Sequence, residues 1–574
     1  MAVALGCSSM MTSCTDYLTI YPTNSVILEN YWKTAEDVNG MLATCYNSMA
    51  NSDVIKRMMV WGELRADNII PRSGASNDLK YIVEANLLET NSYFKWEHFY
   101  KTINYCNMLI QYAPGVLEED PDFTQGDLEV ILGEAYAMRA LCHFTLVRSF
   151  RDIPMSFVAM DADEQEMIYP QYSPYEALDS VYADLERASK LCMKTGGWSE
   201  DARNYARITK NAVYAMMADV NLWRAAFAQW APNDPNLPAG ANIRPANDYY
   251  TMVIENCDSV ILPMKRQIIK NYEDMNKSMT GLDTLTNPFF LGVNNPMEKT
   301  FPTTYDEIFC GREFNRDGYM TSNEVIFKLD FNSNNYNSAV NDFYGYDKSS
   351  GSYLVPSKAP IMVDLYETSD QRWYTFTSAV KGKQDDKAEY TITKYTVKTG
   401  APTANAPTWY PKGQNMSDWI FYRKTDVLLM KATAYAYRYE NGDATTPNSD
   451  HNLALQLVQA VNKRNLTTER DSIDPKEWMT QDLMKKLVLD ERLRELSFEG
   501  KRWYDLVQKA LIENSTKNIL DLIIKKLDSN TGAVQSKMSS INSLFCPIYE
   551  SELKLNPLLK QNPAFERNSS IEQN

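Results

Sequence analysis

Histidine is scarce in this sequence. Among 574 residues there are three, His98, His143 and His451, far apart in the chain. A histidine-based metal cluster or a serine triad is therefore poorly supplied. Cysteine is little better placed: nine residues, an odd number, with no CxxC pair and no zinc-like spacing. They read as reduced, buried, small hydrophobes. Basic charge is in deficit, with 58 Lys and Arg against 74 Asp and Glu and a formal net charge of −16. That argues against nucleic acid, whose binding rests on basic patches, and against an electrostatic hold on an anionic membrane. No stretch reaches the roughly 18 to 20 consecutive apolar residues of a membrane span. No metal and no cofactor is expected.

What is present is a large soluble composition, 44% hydrophobic and 23% charged, long enough for roughly three or four domains. Aromatics reach 12%, including 36 tyrosines. Most belong in a core. The surplus offers flat apolar faces with polar handles, the combination that recognises sugar rings.

The most ordered pattern lies at Thr480 to Ala510. On a helix of about 100° per residue, one face carries Leu483, Met484, Leu487, Glu491, Arg494, Glu495, Phe498, Arg502 and Asp505. The far side carries Leu489, Leu493, Leu496 and Trp503. A helix apolar on both sides is buried, and buried charges must be paired. Glu491, Glu495 and Asp505 therefore call for arginines, with Arg494 and Arg502 nearest in sequence, and Gly500 is placed to bend the helix after Phe498. Carboxylates at i, i+4 could also do acid/base work or bind metal. A structural ion-pair network is the favoured reading, because such networks perturb titration without catalysing anything.

Helical periodicity also predicts helices over Trp32–Ala50, Phe94–Ala113, Asp127–Phe150, Pro174–Met193, Ile208–Trp230 and Trp419–Glu440, with another beginning at Leu453. In Asp127–Phe150 small residues alternate with large ones, which allows close helix approach. Pairs of about 20 residues with short breaks suggest tetratricopeptide-type hairpins. The expected class is mainly α: a tetratricopeptide-like helical-hairpin scaffold carrying a loop-rich, partly β insert. The expected regions are 1–14, a remnant of a lipoprotein signal; 15–230, helical; 231–418, loop-rich and ligand-binding; and 419–574, helical.

From about Ala231 the character changes, and from Asn271 to about Asp418 the helical period fades, with short β-like runs at Glu324–Leu329 and Tyr390–Val397. Loops on a rigid scaffold are where binding residues sit. Tyr336, Tyr344, Tyr346, Trp409 and Tyr410 have the most loop-like surroundings, and the polar stretch around Arg65, Asp67, Asn68 and Arg72 is a further candidate. Each aromatic taken singly is better explained as part of a satellite core under long loops.

The run D-E-R-x-R-E-L-x-F-E-G-x-R-W-Y-D-L, Asp490 to Leu506, closely resembles the signature helix of the SusD/RagB family. Ala135–Pro154, Ala206–Val220, Arg423–Ala432 and Pro547–Pro563 resemble further family segments. Cys546 stands where a proline is usual and Ala564 where a glycine is. The resemblance implies an outer-membrane lipoprotein facing the cell exterior. It would bind an oligosaccharide or polysaccharide without catalysis and deliver it to a SusC-like TonB-dependent transporter. It also implies lipidation at Cys14, ahead of Asp16-Tyr17-Leu18, with Cys7 the alternative. A glycoside hydrolase, with two carboxylates flanking the bond, and a tetratricopeptide-type protein-interaction adaptor are the competing functions.

Overall fold

The computed structural model describes residues 31–161, 168–197, 203–274, 304–309, 324–345, 353–357, 365–366, 370, 372, 377–379, 390–398, 408–443, 445–463, 465 and 473–566. Cys7, Cys14, Tyr346 and the 1–14 region lie outside the described residues.

The first half is laid down by helices: α1 Ala35–Met49, α2 Ser52–Met59, α3 Glu97–Tyr112, α4 Gln125–Phe150, α5 Pro174–Leu191, α6 Lys210–Trp230 and α7 Ala246–Asp274. Their starts are encoded locally. Thr34, Thr124 and Ser173 each accept from the third backbone N–H of the helix they open, and Asp37, Asp127 and Glu176 reach back to close a capping box. Pro174 occupies the first turn of α5, where its missing N–H costs nothing.

Packing runs neighbour on neighbour: α1 on α3, α3 on α4, α4 on α5, α5 on α6 and α6 on α7. The long helices thus pack largely in chain order. The alternating small residues of α4 act as expected. A Cβ on Gly133 would lie 2.6 Å from the Cys192 backbone nitrogen, so only glycine lets the end of α5 come this close. By length and composition α4 could cross a bilayer, contrary to the sequence reading, but most of it is buried inside this protein. It is a core helix.

The C-terminal third adds α8 Lys424–Arg438, α9 Asp450–Lys463, α10 Gln481–Leu496 and α11 Arg502–Glu513. Helix α8 packs on α7, α9 and α10, and α11 packs on α6, so this third closes back onto the first array. Val427, Leu428 and Leu429 of α8 are fully buried, each contributing about 1.5–3 kcal/mol.

Among the described residues five short antiparallel pairs sit on this frame; one joins Ile153–Pro154 to Gln171–Tyr172. Strand β1 Ile69–Pro71 pairs β3 Leu354–Pro356, and β2 Val325–Leu329 pairs β8 Trp419–Arg423. Strand β4 Thr377–Ala379 pairs β5 Tyr390–Ile392, and β6 Val397–Lys398 pairs β7 Thr408–Trp409. The architecture is thus mainly α with a loop-rich, partly β insert.

Three sequence expectations change. Trp419–Arg423 is a strand, and its helix begins only at Lys424; the aromatic and β-branched run WIFYR fits a pleated edge better than a first helical turn. Helix α7 lies inside the region expected to be loop-rich. The stretch Thr480–Ala510 is two helices, with Ser497 to Lys501 between them.

Candidate functional site

The break between α10 and α11 organises everything around it. Phe498 and Gly500 both take positive φ, 69° and 71°. Phe498 has a Cβ and accepts this strain only because its surroundings hold it there. The Glu63 carboxylate, arriving from the π-helical turn Val60–Leu64 after α2, accepts from the backbone nitrogens of Phe498 (2.8 Å), Lys501 (2.9 Å) and Arg502 (3.4 Å). It thereby caps the start of α11, where unsatisfied N–H groups and the helix dipole favour an anion. A Cβ on Gly62 would lie 1.9 Å from the Gly500 carbonyl oxygen, so the two chain segments touch backbone to backbone.

The carboxylates of this region are sealed inside. Glu491 and Glu495 have no solvent exposure. The Arg372 guanidinium donates to Glu491 Oε1 (2.7 Å) and Glu495 Oε2 (3.0 Å), and also grips Asp370. Arg423 donates to Glu495 Oε1 and Glu324 Oε1, each at 2.7 Å, and forks onto both Glu499 oxygens at 3.0 and 2.7 Å. Lys394 Nζ donates to Glu499 Oε1 (2.6 Å) and to the Glu495 and Ser497 carbonyls. Arg494 donates to Glu491 Oε2 (2.8 Å). Burial pushes the Glu491 carboxyl up, but Arg372 and Arg494 outweigh it and hold it below the ordinary range. Burial acts likewise on Glu499, where Arg423 and Lys394 prevail.

Two sequence-expected partners differ. Arg502 pairs Asp67 through both nitrogens at 2.8 Å, and Asp505 is held by Arg492 at 2.9 Å. Arg372, Lys394 and Glu63 were not expected in the network. Arg372 is a lone cation in a region without helical period, Lys394 sits within the β-like run Tyr390–Val397, and no local pattern marks either as a partner of these glutamates.

Burial also removes five of the residues expected to contact ligand. Arg65 is 3% exposed; it donates to the Leu544 and Ser543 carbonyls and stacks on Trp503 at 4.3 Å. Asp67 is bound to Arg502, and Asn68, fully buried, donates to Glu63. Tyr344 donates its hydroxyl to the Phe498 carbonyl at 3.2 Å, and Tyr410 is 5% exposed. The stretch 65–68 looked like a polar loop because its charges were taken as solvated; they are the partners of α11.

The remaining three stay near the surface. Tyr336 is 36% exposed, and Arg72 and Trp409 are half-buried. Backbone hydrogen bonds gather their segments. Arg72 N donates to Tyr353 O (2.8 Å), extending the β1–β3 pair, and Tyr353 N donates to Asp342 O. Asn337 N donates to Asn415 O (2.8 Å), and its side chain reaches the Ser417 carbonyl. Gly413 N donates to Asn341 Oδ1 (2.6 Å), tying in the 408–417 segment that carries Trp409. Tyr353, in these linked segments, is 41% exposed. Exposed rings among Asn-rich turns can stack on a flat apolar ligand face and hydrogen-bond its edge. Among the described residues no group of three or more His, Cys, Asp or Glu is placed to hold a metal.

Comparison with known proteins covers both halves of the chain. Residues 335–565 match the SusD family model, and residues 16–222 match a model described as starch-binding, associating with outer membrane. The chain is 25% identical over 532 residues to SusD-like protein P38 of Formosa agariphila, covering 87% of this chain and 88% of that one. Among solved structures, a SusD homolog from Bacteroides thetaiotaomicron superposes with TM-score 0.66 at 16% identity, covering 93% of this chain and 98% of that one. A SusD superfamily protein from Bacteroides vulgatus gives 0.64 at 18%, covering 93% and 100%. B. fragilis NanU gives 0.61 at 19%, covering 95% and 100%.

Proposed function

We propose, because this chain belongs to the SusD/RagB family, that it is a cell-surface binding protein that captures glycan oligosaccharides and delivers them to a TonB-dependent outer-membrane transporter. The family binds starch or other glycans at the outer membrane. A lipid on Cys14 would hold the body on the membrane without spanning it. The segments carrying Tyr336, Tyr353 and Trp409 would take the glycan, with rings stacking on sugar faces and the exposed Asn334 and Asn335 beside Tyr336 meeting hydroxyls. Tethering beside the transporter raises local concentration, so modest affinity there suffices.

The observation that carries a binding role over hydrolysis is the state of Glu491 and Glu495. Both are fully buried and held by arginines, whereas a glycosidase pair must flank a bound sugar. Affinity electrophoresis against a polysaccharide panel tests glycan capture: retardation by at least one glycan supports it, and unchanged migration in all refutes it. Co-purification from outer-membrane fractions tests the transporter partnership separately. Recovery of a TonB-dependent transporter with the protein supports that partnership, and its absence under mild detergent refutes it.

A further inference from the structure

The first three long helices meet at a cluster of sulfur. Cys45 and Met49 come from α1, Cys106 from α3 and Cys142 from α4. All four are fully buried. Cys106 Sγ lies 3.9 Å from Cys45 Sγ, and Cys142 Sγ lies 3.4 Å from Met49 Sδ. One pair of thiols is therefore in direct contact across packed helices, 61 residues apart in the chain, while the third thiol faces a thioether that cannot pair with it.

We propose that Cys45 and Cys106 are a disulfide-forming pair, closed by thiol–disulfide exchange with a disulfide-bearing oxidoreductase during export. This rests on the outer-membrane reading above, since disulfides persist in the oxidising cell envelope and not in the cytosol. In the exchange, one thiolate attacks the donor's disulfide to give a mixed disulfide. The second thiolate then displaces the donor. One Sγ–Sγ bond forms, the donor's S–S bond breaks, and the donor leaves as a dithiol carrying the two electrons and the two thiol protons. The step belongs to folding and not to the finished protein: the hydrogen bond from Cys106 and burial hold the Cys45 thiol well above its ordinary value, and the attacking species is the thiolate. Once closed, the bond spans a long loop and ties α1 to α3, constraining the unfolded chain. Cys142, opposite Met49, stays reduced.

The test is peptide mapping of the full chain purified from the outer-membrane fraction, denatured with alkylating agent and without reductant. The expected result is a Cys45–Cys106 linked peptide, a chain two hydrogens lighter than its reduced form, and an alkylated Cys142. Alkylation of both Cys45 and Cys106, or a link from either to Cys142, overturns the pairing. Refolding the full chain in a buffer of reduced and oxidised glutathione separates this from localisation. Closure there together with free thiols in the cell-derived protein refutes the oxidising compartment; free thiols in both refute the pair. Cys142→Ser keeps the linked peptide, and added reductant lowers the thermal midpoint of the linked protein by several degrees.

Discussion

Arg372 and Glu491 stand 119 residues apart in the chain and 2.7 Å apart in the fold, both without solvent exposure. Arg372 comes from the insert and Glu491 from α10, so their contact is where irregular chain is fastened to the helical frame. The pairing satisfies two charges that could not be left alone in the interior.

Removing one partner is therefore costly. Arg372→Met leaves Glu491 and Glu495 short of a cation and is expected to destabilise the protein by about 3–5 kcal/mol, read from chemical denaturation. The double variant Arg372→Met with Glu491→Met recovers part of that loss. A loss in the double variant equal to the sum of the two single-variant losses would show that the pair is not coupled.

Backbone contact at the α10–α11 break gives a second expectation. Gly62→Ala drives a Cβ into the Gly500 carbonyl and is expected to cost about 1–3 kcal/mol through overpacking. Gly74→Ala, with nothing within 4 Å of the added carbon, is the matched control and leaves the thermal midpoint close to wild type.

A third expectation concerns acid. Burial, reinforced by the nearby Arg139, pushes the His143 imidazole down to about 3 from 6.5. A base whose folded value is lowered binds fewer protons folded than unfolded between those two values, so stability rises with pH across that window. The stabilisation is present above about 6.5 and is lost as pH falls towards 3. In His143→Gln the unfolding free energy is expected to depend less steeply on pH over this range; an unchanged slope contradicts the assignment.

The helical half was legible because its signals are local. Asp37, Asp127 and Glu176 close capping boxes three residues from their partners, and the small residues of α4 announce close packing. The two-helix break was only half legible: Gly500 marked it, but the capping anion, Glu63, arrives from 435 residues away. The same distance hid the fate of Asp67, whose partner is Arg502. For Tyr344 and Tyr410 sequence surroundings say nothing about burial, since an aromatic in a Gly- and Asn-rich stretch can turn either way. Trp419–Arg423 was misread because its apolar run suits both strand and helix until a pairing partner, β2, is known.

The central claim, that a charge-locked frame displays aromatic side chains to a glycan without acting on it, is tested most directly by one titration. Wild type and the Tyr336→Ala/Trp409→Ala variant are titrated calorimetrically with the glycan that retards wild type in gels, while free reducing ends are assayed in the same cell. The account predicts saturable binding by wild type, at least about tenfold weaker binding by the variant, no new reducing ends, and unaltered binding in a Tyr344→Phe control. Equal affinity in wild type and the double variant, or steady release of reducing ends, contradicts it.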